Sequence, residues 1–153
     1  MVYSNLVIDG KYQVKTLGET ADGTEIIGVS ADLLVDVACF LQKDDDTSFD
    51  VLLSVYGTDK SEYFEVVYHL FSTKYNKNLL LKVALTKGSP EVESLSCVYP
   101  SANWHERETY DLLGIKFLNH PNLERILLPN DWKGHPLRKD YVNDDERLVW
   151  NER

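Results

Sequence analysis

The sequence predicts an α+β fold: an antiparallel sheet packed with helices, followed by a long irregular C-terminal tail. Three observations predict it. Apolar residues alternate with period two through the middle of the chain, they recur at helical spacing on either side of it, and periodicity fades from Asn119 onward. At 153 residues, with 43% hydrophobic and 27% charged side chains, the chain is most simply one domain with a real core.

The elements follow in order. Residues 1–23 are mixed, with a turn signal at Asp22-Gly23, and leave open an early strand or a loosely held segment. Thr24 to Val29 reads as a strand, and Ser30 is a helix N-cap candidate. Leu33, Leu34, Val37, Ala38 and Leu41 then recur at helical spacing, with Asp32 near the positive end of the helix dipole. The acidic run Asp44–Asp46 closes this helix in a solvated loop. Phe49, Val51, Leu53 and Val55 alternate along a first strand, residues 62–72 form a second, and Leu79, Leu81, Val83 and Leu85 alternate along a third. The short polar connections GTDKS and TKYNKN favour hairpins, hence an antiparallel meander. Residues 88–118 are expected to be helical, with Ser89-Pro90 as a start and Val92, Leu95 and Val98 at core spacing. Pro100 breaks that helix and Ser101 caps the next. Residues 1–118 therefore form the α+β domain, and 119–153 form an extended tail. Trp132, Tyr141 and Trp150 argue that this tail is laid across something, because disordered tails are poor in aromatics.

Bulk properties exclude several classes. A net charge of −9 opposes binding to a phosphate backbone. Its distribution is uneven: −7 over residues 1–100 and −2 over the charge-dense remainder. No apolar run approaches the roughly 20 residues that span a bilayer. The start, MVYSNLVIDG, lacks the pattern of a signal peptide, and the expected location is cytosolic. Cys39 and Cys97 stand far apart and read as reduced core residues, too few for a cluster or structural zinc.

The densest chemistry lies in HERETYDLLGIKFLNHPNLERIL, residues 105–127. On a helix, Trp104, Leu112 and Ile115 share one face with Glu108 between them. Asp111 and Arg107 border that face, and Glu106 projects elsewhere. A carboxylate in an apolar stripe must be paired with a guanidinium, Arg125 or Arg138 here, or left to face a partner. Carboxylates beside histidines permit acid–base catalysis, yet no activated Ser or Cys and no Gly-rich phosphate loop accompanies them. His105, His120 and His135 are evenly spaced, but no helix or hairpin rule makes a ligand set of that spacing. His120-Pro121 and His135-Pro136 read as loop corners whose imidazoles bond local backbone. Mixed charge, Trp and Tyr, and an irregular tail fit a protein-docking surface, set against the blander reading of a solvated surface helix.

HERETYDLLGIKF, then HPNLERIL, then GHPLRKDY resemble the 30-kilodalton (C-type) subunit of NADH-quinone oxidoreductase, the respiratory complex I. LLPNDWKGHPLRKDY looks closest to the short J-type form found in the cyanobacterial and plastid NAD(P)H dehydrogenase-like complex. The motifs cover residues 104–141. The resemblance implies a subunit with no cofactor and no chemistry of its own, active only as part of a proton-pumping NAD(P)H or ferredoxin:quinone oxidoreductase. It implies docking on the hydrogenase-like large subunit (D or H type), with iron–sulfur clusters and quinone in partner subunits. It also implies peripheral attachment on the cytoplasmic side of a plasma or thylakoid-type membrane. The family motif falls on Glu106, Arg107, Glu108, Asp111, Gly114, His120, Pro121 and Arg125, then on Gly134, His135, Pro136, Leu137, Arg138, Lys139 and Asp140. These are expected to be assembly and interface residues, with Gly114 and Gly134 supplying turns. Glu124 stands where the family is commonly basic. Leu113 stands where an aromatic is frequent, and looser packing is expected there. The equivalent subunit of a membrane-bound group 4 hydrogenase or formate hydrogenlyase is the alternative.

Overall fold

A computed structural model describes residues 7–8 and 12–142, with side chains described from Val14 onward. The expectation for Trp150 therefore lies outside the described residues. The order is β1 (Val7–Ile8), β2 (Tyr12–Gln13), β3 (Lys15–Glu19), β4 (Glu25–Val29), α1 (Leu34–Lys43), β5 (Val51–Asp59), β6 (Tyr63–Ser72), β7 (Lys77–Thr86), β8 (Glu91–Glu93), α2 (Ala102–Leu113) and β9 (Lys116–Leu118). A single 3-10 turn, Ala31–Leu33, leads into α1.

The main sheet has strand order β3-β4-β7-β6-β5. The hairpin-linked β5, β6 and β7 form the antiparallel meander that their short polar turns demand. β4 joins β7 in parallel, with α1 in the connection between them, and β3 pairs antiparallel at the far edge. The sheet is therefore mixed, within an α+β architecture.

One apolar cluster holds the layers together. β6 contributes Phe64, Val66, Tyr68 and Leu70, and β7 contributes Leu79, Leu81, Val83 and Leu85, alternate residues of each strand. Leu34, Val37, Ala38 and Leu41 of α1 pack onto them, all fully buried. Ser30 does precede the helical segment, but its hydroxyl makes no capping bond. Gly57 on β5 lets α2 approach: a Cβ there would stand 2.5 Å from Leu113 Cδ1 and 2.9 Å from Thr109 Cγ2. Leu113 is itself only 3% exposed, so the site expected to be loose is tightly packed.

Three expectations are corrected. First, alternation along β5 does not run through Leu53: a bulge between Leu52 and Ser54 shifts the register. Leu52 and Val55 face the core, while Leu53 is 45% exposed. Second, residues 88–118 are not one helical region. Val92 lies in β8, which pairs in parallel with β9 (Glu91 opposite Lys116), and Leu95 and Val98 lie in turns. Val92 and Leu95 are buried in the core all the same, which is why their spacing imitated a helix. Third, neither cysteine is a core residue: Cys39 is half-buried and Cys97 exposed, both as free thiols.

Candidate functional site

The motif residues converge where α2 meets the tail. α2 follows Ser101, whose hydroxyl donates to Leu52 O on β5 rather than capping its own helix. The helix ends at Gly114, which takes a left-handed conformation at φ 70°. Its inward stripe is Ala102, Glu106, Thr109 and Leu113, with Asp111 also fully buried. Of the two alternatives for Glu108, pairing with an arginine or facing outward, the helix orientation gives the second. Trp104 is 65% exposed, Glu108 is exposed, and the interior carboxylates are Glu106 and Asp111. The apolar spacing Trp104–Leu112 marks the outer face, because β5 packs against the stripe that carries Gly57's close neighbours.

Asp111 anchors the tail. Its Oδ2 accepts the backbone N–H groups of Ile126, Leu127 and Leu128 at 3.0, 2.8 and 2.9 Å. Its Oδ1 takes Arg125 Nη1 at 2.7 Å. Burial pushes this carboxyl up, but the N–H of Leu128, the Arg125 guanidinium and the N–H groups of Leu127 and Ile126 outweigh it. The net position is below the ordinary aspartate value. Arg125 also donates through Nη2 to Trp132 O and Gly134 O, at 3.2 and 2.9 Å, so one fork ties α2 to two later points on the tail. Gly134 makes that turn at φ 78°.

The next segment returns to the end of α2. His135 Nδ1–H donates to Asp111 O at 2.9 Å, and Leu137 N–H donates to Leu112 O at 3.0 Å. Burial, chiefly, holds His135 below the usual histidine range, with Arg138 and Arg125 adding to it against the Asp111 carbonyl bond. Arg138 donates to Leu113 O at 2.5 Å and to Gly114 O at 3.3 Å, and its guanidinium lies 5.2 Å from the Phe64 ring centre. Neither Arg125 nor Arg138 pairs with Glu108, so the first of its two alternatives is not realised within the described chain. Arg125 is held by Asp111 and by the Trp132 and Gly134 carbonyls, and Arg138 by the Leu113 and Gly114 carbonyls at the end of the helix. Lys139 N–H donates to Asp59 Oδ2 at 3.0 Å, and Lys87 lies 2.9 Å from Asp59 Oδ1. Burial raises the Asp59 carboxyl, but the Lys139 N–H, Lys87 and the Ser61 N–H together take it down to about 2. Pro136 is half-buried, and Pro121 and Asp140 are exposed.

A second buried group ties α2 to β8. Glu106 accepts Ser94 Oγ at 2.5 Å and Leu95 N–H at 2.8 Å. Burial dominates these bonds and raises its carboxyl to about 7. His120 Nε2–H donates to Asn103 O at 3.1 Å, and its Nδ1 accepts Asn122 N–H at 3.0 Å, a neutral ring bonded to nearby backbone. Burial is the main cause of its lowered pKa, with Arg107 adding to it against the Asn103 bond. Nε2 stands 3.9 Å from Glu106 Oε2. Arg107 donates to Glu124 O and Arg125 O and stacks 5.2 Å from the Trp104 ring centre. The Glu124 side chain is exposed, and its backbone is what the network uses. Sequence reasoning missed Asp59 and Ser94, which act through contacts distant in sequence.

Among the described residues, no group of three or more His, Cys, Asp or Glu is arranged to hold a metal ion, and no helix is long and apolar enough to cross a membrane. In the α2–tail network His120, His135, Arg107, Arg125 and Arg138 are bonded chiefly to main-chain groups, which ties the tail to the end of the helix. The family model of the respiratory-chain NADH dehydrogenase 30 Kd subunit matches residues 27–147, and the chain belongs to that family. The C-type NADH-quinone oxidoreductase subunit of Roseiflexus sp. (strain RS-1) is 49% identical over 125 residues, covering 80% of this chain and 72% of the relative. The fused C/D-type subunit of Escherichia coli O6:K15:H31 is 40% identical over 136 residues, 82% of this chain but 23% of that much longer protein. A chain in the structure of an archaeal membrane-bound sulfane sulfur reductase shares the fold, with TM-score 0.73 and 21% identity over 89% of this chain and 81% of that one. The family makes the chain a subunit of a multi-subunit oxidoreductase, with other subunits of that complex as its partners.

Proposed function

We propose that this chain is a non-catalytic, peripheral subunit that binds the hydrogenase-like large subunit of a proton-pumping NAD(P)H or ferredoxin:quinone oxidoreductase and supports its quinone-reducing module. The observation that carries this reading is the C/D relative. There, a segment 40% identical to this chain occupies one polypeptide together with a D portion, and covalent fusion is tolerated best between modules that already sit together. The chain's own chemistry agrees with a scaffold role. Arg107, Arg125 and Arg138 are committed to carbonyls and to Asp111, and His120 and His135 to backbone. On this reading the chain binds no cofactor, while clusters and quinone belong to partners. Attachment to the cytoplasmic side of a plasma or thylakoid-type membrane is indirect. Glu106, Asp111, Arg125 and Arg138 shape the interface from behind, and the tail with the outer face of α2 forms it.

The second reading is the equivalent subunit of a membrane-bound group 4 hydrogenase or formate hydrogenlyase; that the fold recurs in another membrane-bound respiratory complex, the sulfane sulfur reductase, is compatible with it. The higher identity to the C-type oxidoreductase relative favours the first.

The test is purification of this chain from native membranes in mild detergent, with mass spectrometry of what accompanies it. The expected result is the large subunit, cluster-bearing subunits and membrane subunits. Nickel-ligand cysteines in that large subunit would move the assignment to the hydrogenase type, and a chain that purifies alone would overturn both.

A further inference from the structure

We propose that the cleft between α2 and β5 receives one arginine side chain from the large-subunit partner, with Glu108 as its counter-ion. The proposal rests on the docking reading above and adds what that docking recognises.

The cleft is small, about 80 Å³, and its walls include Val55 and Tyr56 of β5, Leu112 of α2 and Leu137 of the tail, with Glu108 at the side. That is room for two or three water molecules or the head of one side chain. Trp104, exposed, and Leu112, half-buried, lie one turn on either side of Glu108, so the carboxylate has an apolar neighbour above and below it on the helix. Tyr56 is 45% exposed and Leu137 59% exposed, as befits a rim awaiting cover.

Charge decides the occupant. Among the described residues no hydrogen bond or ion pair reaches the Glu108 carboxylate. The three guanidiniums nearest in the motif are committed elsewhere: Arg107 to Glu124 O and the Trp104 ring, Arg125 to Asp111, and Arg138 to the end of α2. Left in water, Glu108 costs nothing. Covered by an apolar knob, it would be a buried, unpaired charge. An acidic partner would add repulsion. A guanidinium resolves both problems, since its fork bonds a carboxylate bidentately and its plane stacks on an aromatic such as Tyr56. Its aliphatic stem covers leucine surfaces like those of Leu112 and Leu137. A lysine head is more strongly hydrated and has no plane to stack.

The experiment co-expresses the full chain with the D-type large-subunit protein encoded in the same genome and measures their dissociation constant across a salt series. Loss of one partner from a covered charge pair weakens binding by roughly 30-fold or more. Glu108→Gln is therefore expected to bind at least that much more weakly with a shallower salt dependence, and Glu108→Lys more weakly still. The isolated variants should melt as the wild type does, because Glu108 has no partner within the described chain. Glu62→Gln, an exposed charge in the β5–β6 turn, should leave binding unchanged. One arginine of the partner, changed to Gln, should give no additional loss when combined with Glu108→Gln. Wild-type affinity in Glu108→Gln, or losses that simply add for every partner arginine, would overturn the proposal while leaving the docking reading in place. No binding by the wild-type chain would overturn the docking reading itself.

Discussion

Asp111 and Arg125, fourteen residues apart, meet at 2.7 Å, and each also holds the tail by its backbone. The carboxylate takes three successive N–H groups at 126–128, and the guanidinium takes two carbonyls at 132 and 134. The tail is thus stitched to the chain's own helix by charged groups bonded to main chain, an arrangement stronger than neutral hydrogen bonding.

Removing Asp111 should therefore cost more than removing Arg125. Asp111→Ala strands three N–H groups and removes the counter-ion of Arg125, which keeps only carbonyl acceptors, and should destabilise the chain by about 3–5 kcal/mol in urea unfolding. Arg125→Ala leaves the carboxylate with its three N–H donors, so its loss should be smaller. The reverse order would mean that the N–H contacts are not what holds residues 126–128.

Arg138→Ala does not strand a carboxylate, as the sequence had led one to expect. It exposes the Leu113 and Gly114 carbonyls and loses the Phe64 ring contact, a cost of about 1–3 kcal/mol. Arg138→Lys should recover less than half of it, because an ammonium lacks the fork that spans two carbonyls. Gly114→Ala should be at least as harmful. Besides its positive φ, a Cβ there would lie 2.5 Å from both Arg138 Nη2 and His135 Cδ2.

Glu106 gives a pH signature. Unfolded, it loses its proton near 4.5; folded, it keeps it to about 7. Between those values the folded state binds more protons, so this group's contribution to stability falls as pH rises through the window. His120 and His135, held below 6.5, act in the opposite sense on acidification, so the wild-type curve alone mixes the two. The difference between wild type and Glu106→Gln separates them. From pH 4 to pH 8 it should move by roughly 3 kcal/mol in favour of Glu106→Gln. A flat difference would show that Glu106 titrates normally.

Asp59 gives the complementary acid signature. Its lowered carboxyl, at about 2, contributes stability that is complete above the unfolded value of 3.8 and disappears as pH falls toward 2. Asp59→Asn should lack roughly 2 kcal/mol at neutral pH, and its deficit should close below pH 2. A deficit that stays constant from pH 6 to pH 2 would exclude a charged Asp59 as the holder of Lys139.

Much of this was legible from local pattern. The meander follows from the alternation in residues 62–85 and its polar turns, and α1 from the spacing Leu34–Leu41. The irregular character of the tail follows from its lost periodicity. What failed did so where a distant contact overrides the local one. The bulge at Leu53 flips a strand's phase, and Val92 becomes a strand residue only because β9 returns beside it. Glu108 reads as a carboxylate in an apolar stripe because its neighbours on the helix are apolar, and that pattern does not choose between pairing and exposure. The true inward stripe contains Glu106, which a periodicity argument penalises for its charge. A buried carboxylate is tolerated only with donors such as Ser94 and the Leu95 N–H, and no spacing rule announces them.

Asp111 and Asp59 lay the tail onto this chain's own domain, through the N–H groups of residues 126–128 and of Lys139. Amide hydrogen exchange of the isolated chain tests this attachment most directly, read at Ile126, Leu127, Leu128 and Lys139. Slow exchange at all four without any partner, lost at 126–128 in Asp111→Ala, is the predicted result. Exchange at unstructured-chain rates in the isolated protein, with protection only in the assembled complex, would contradict the account.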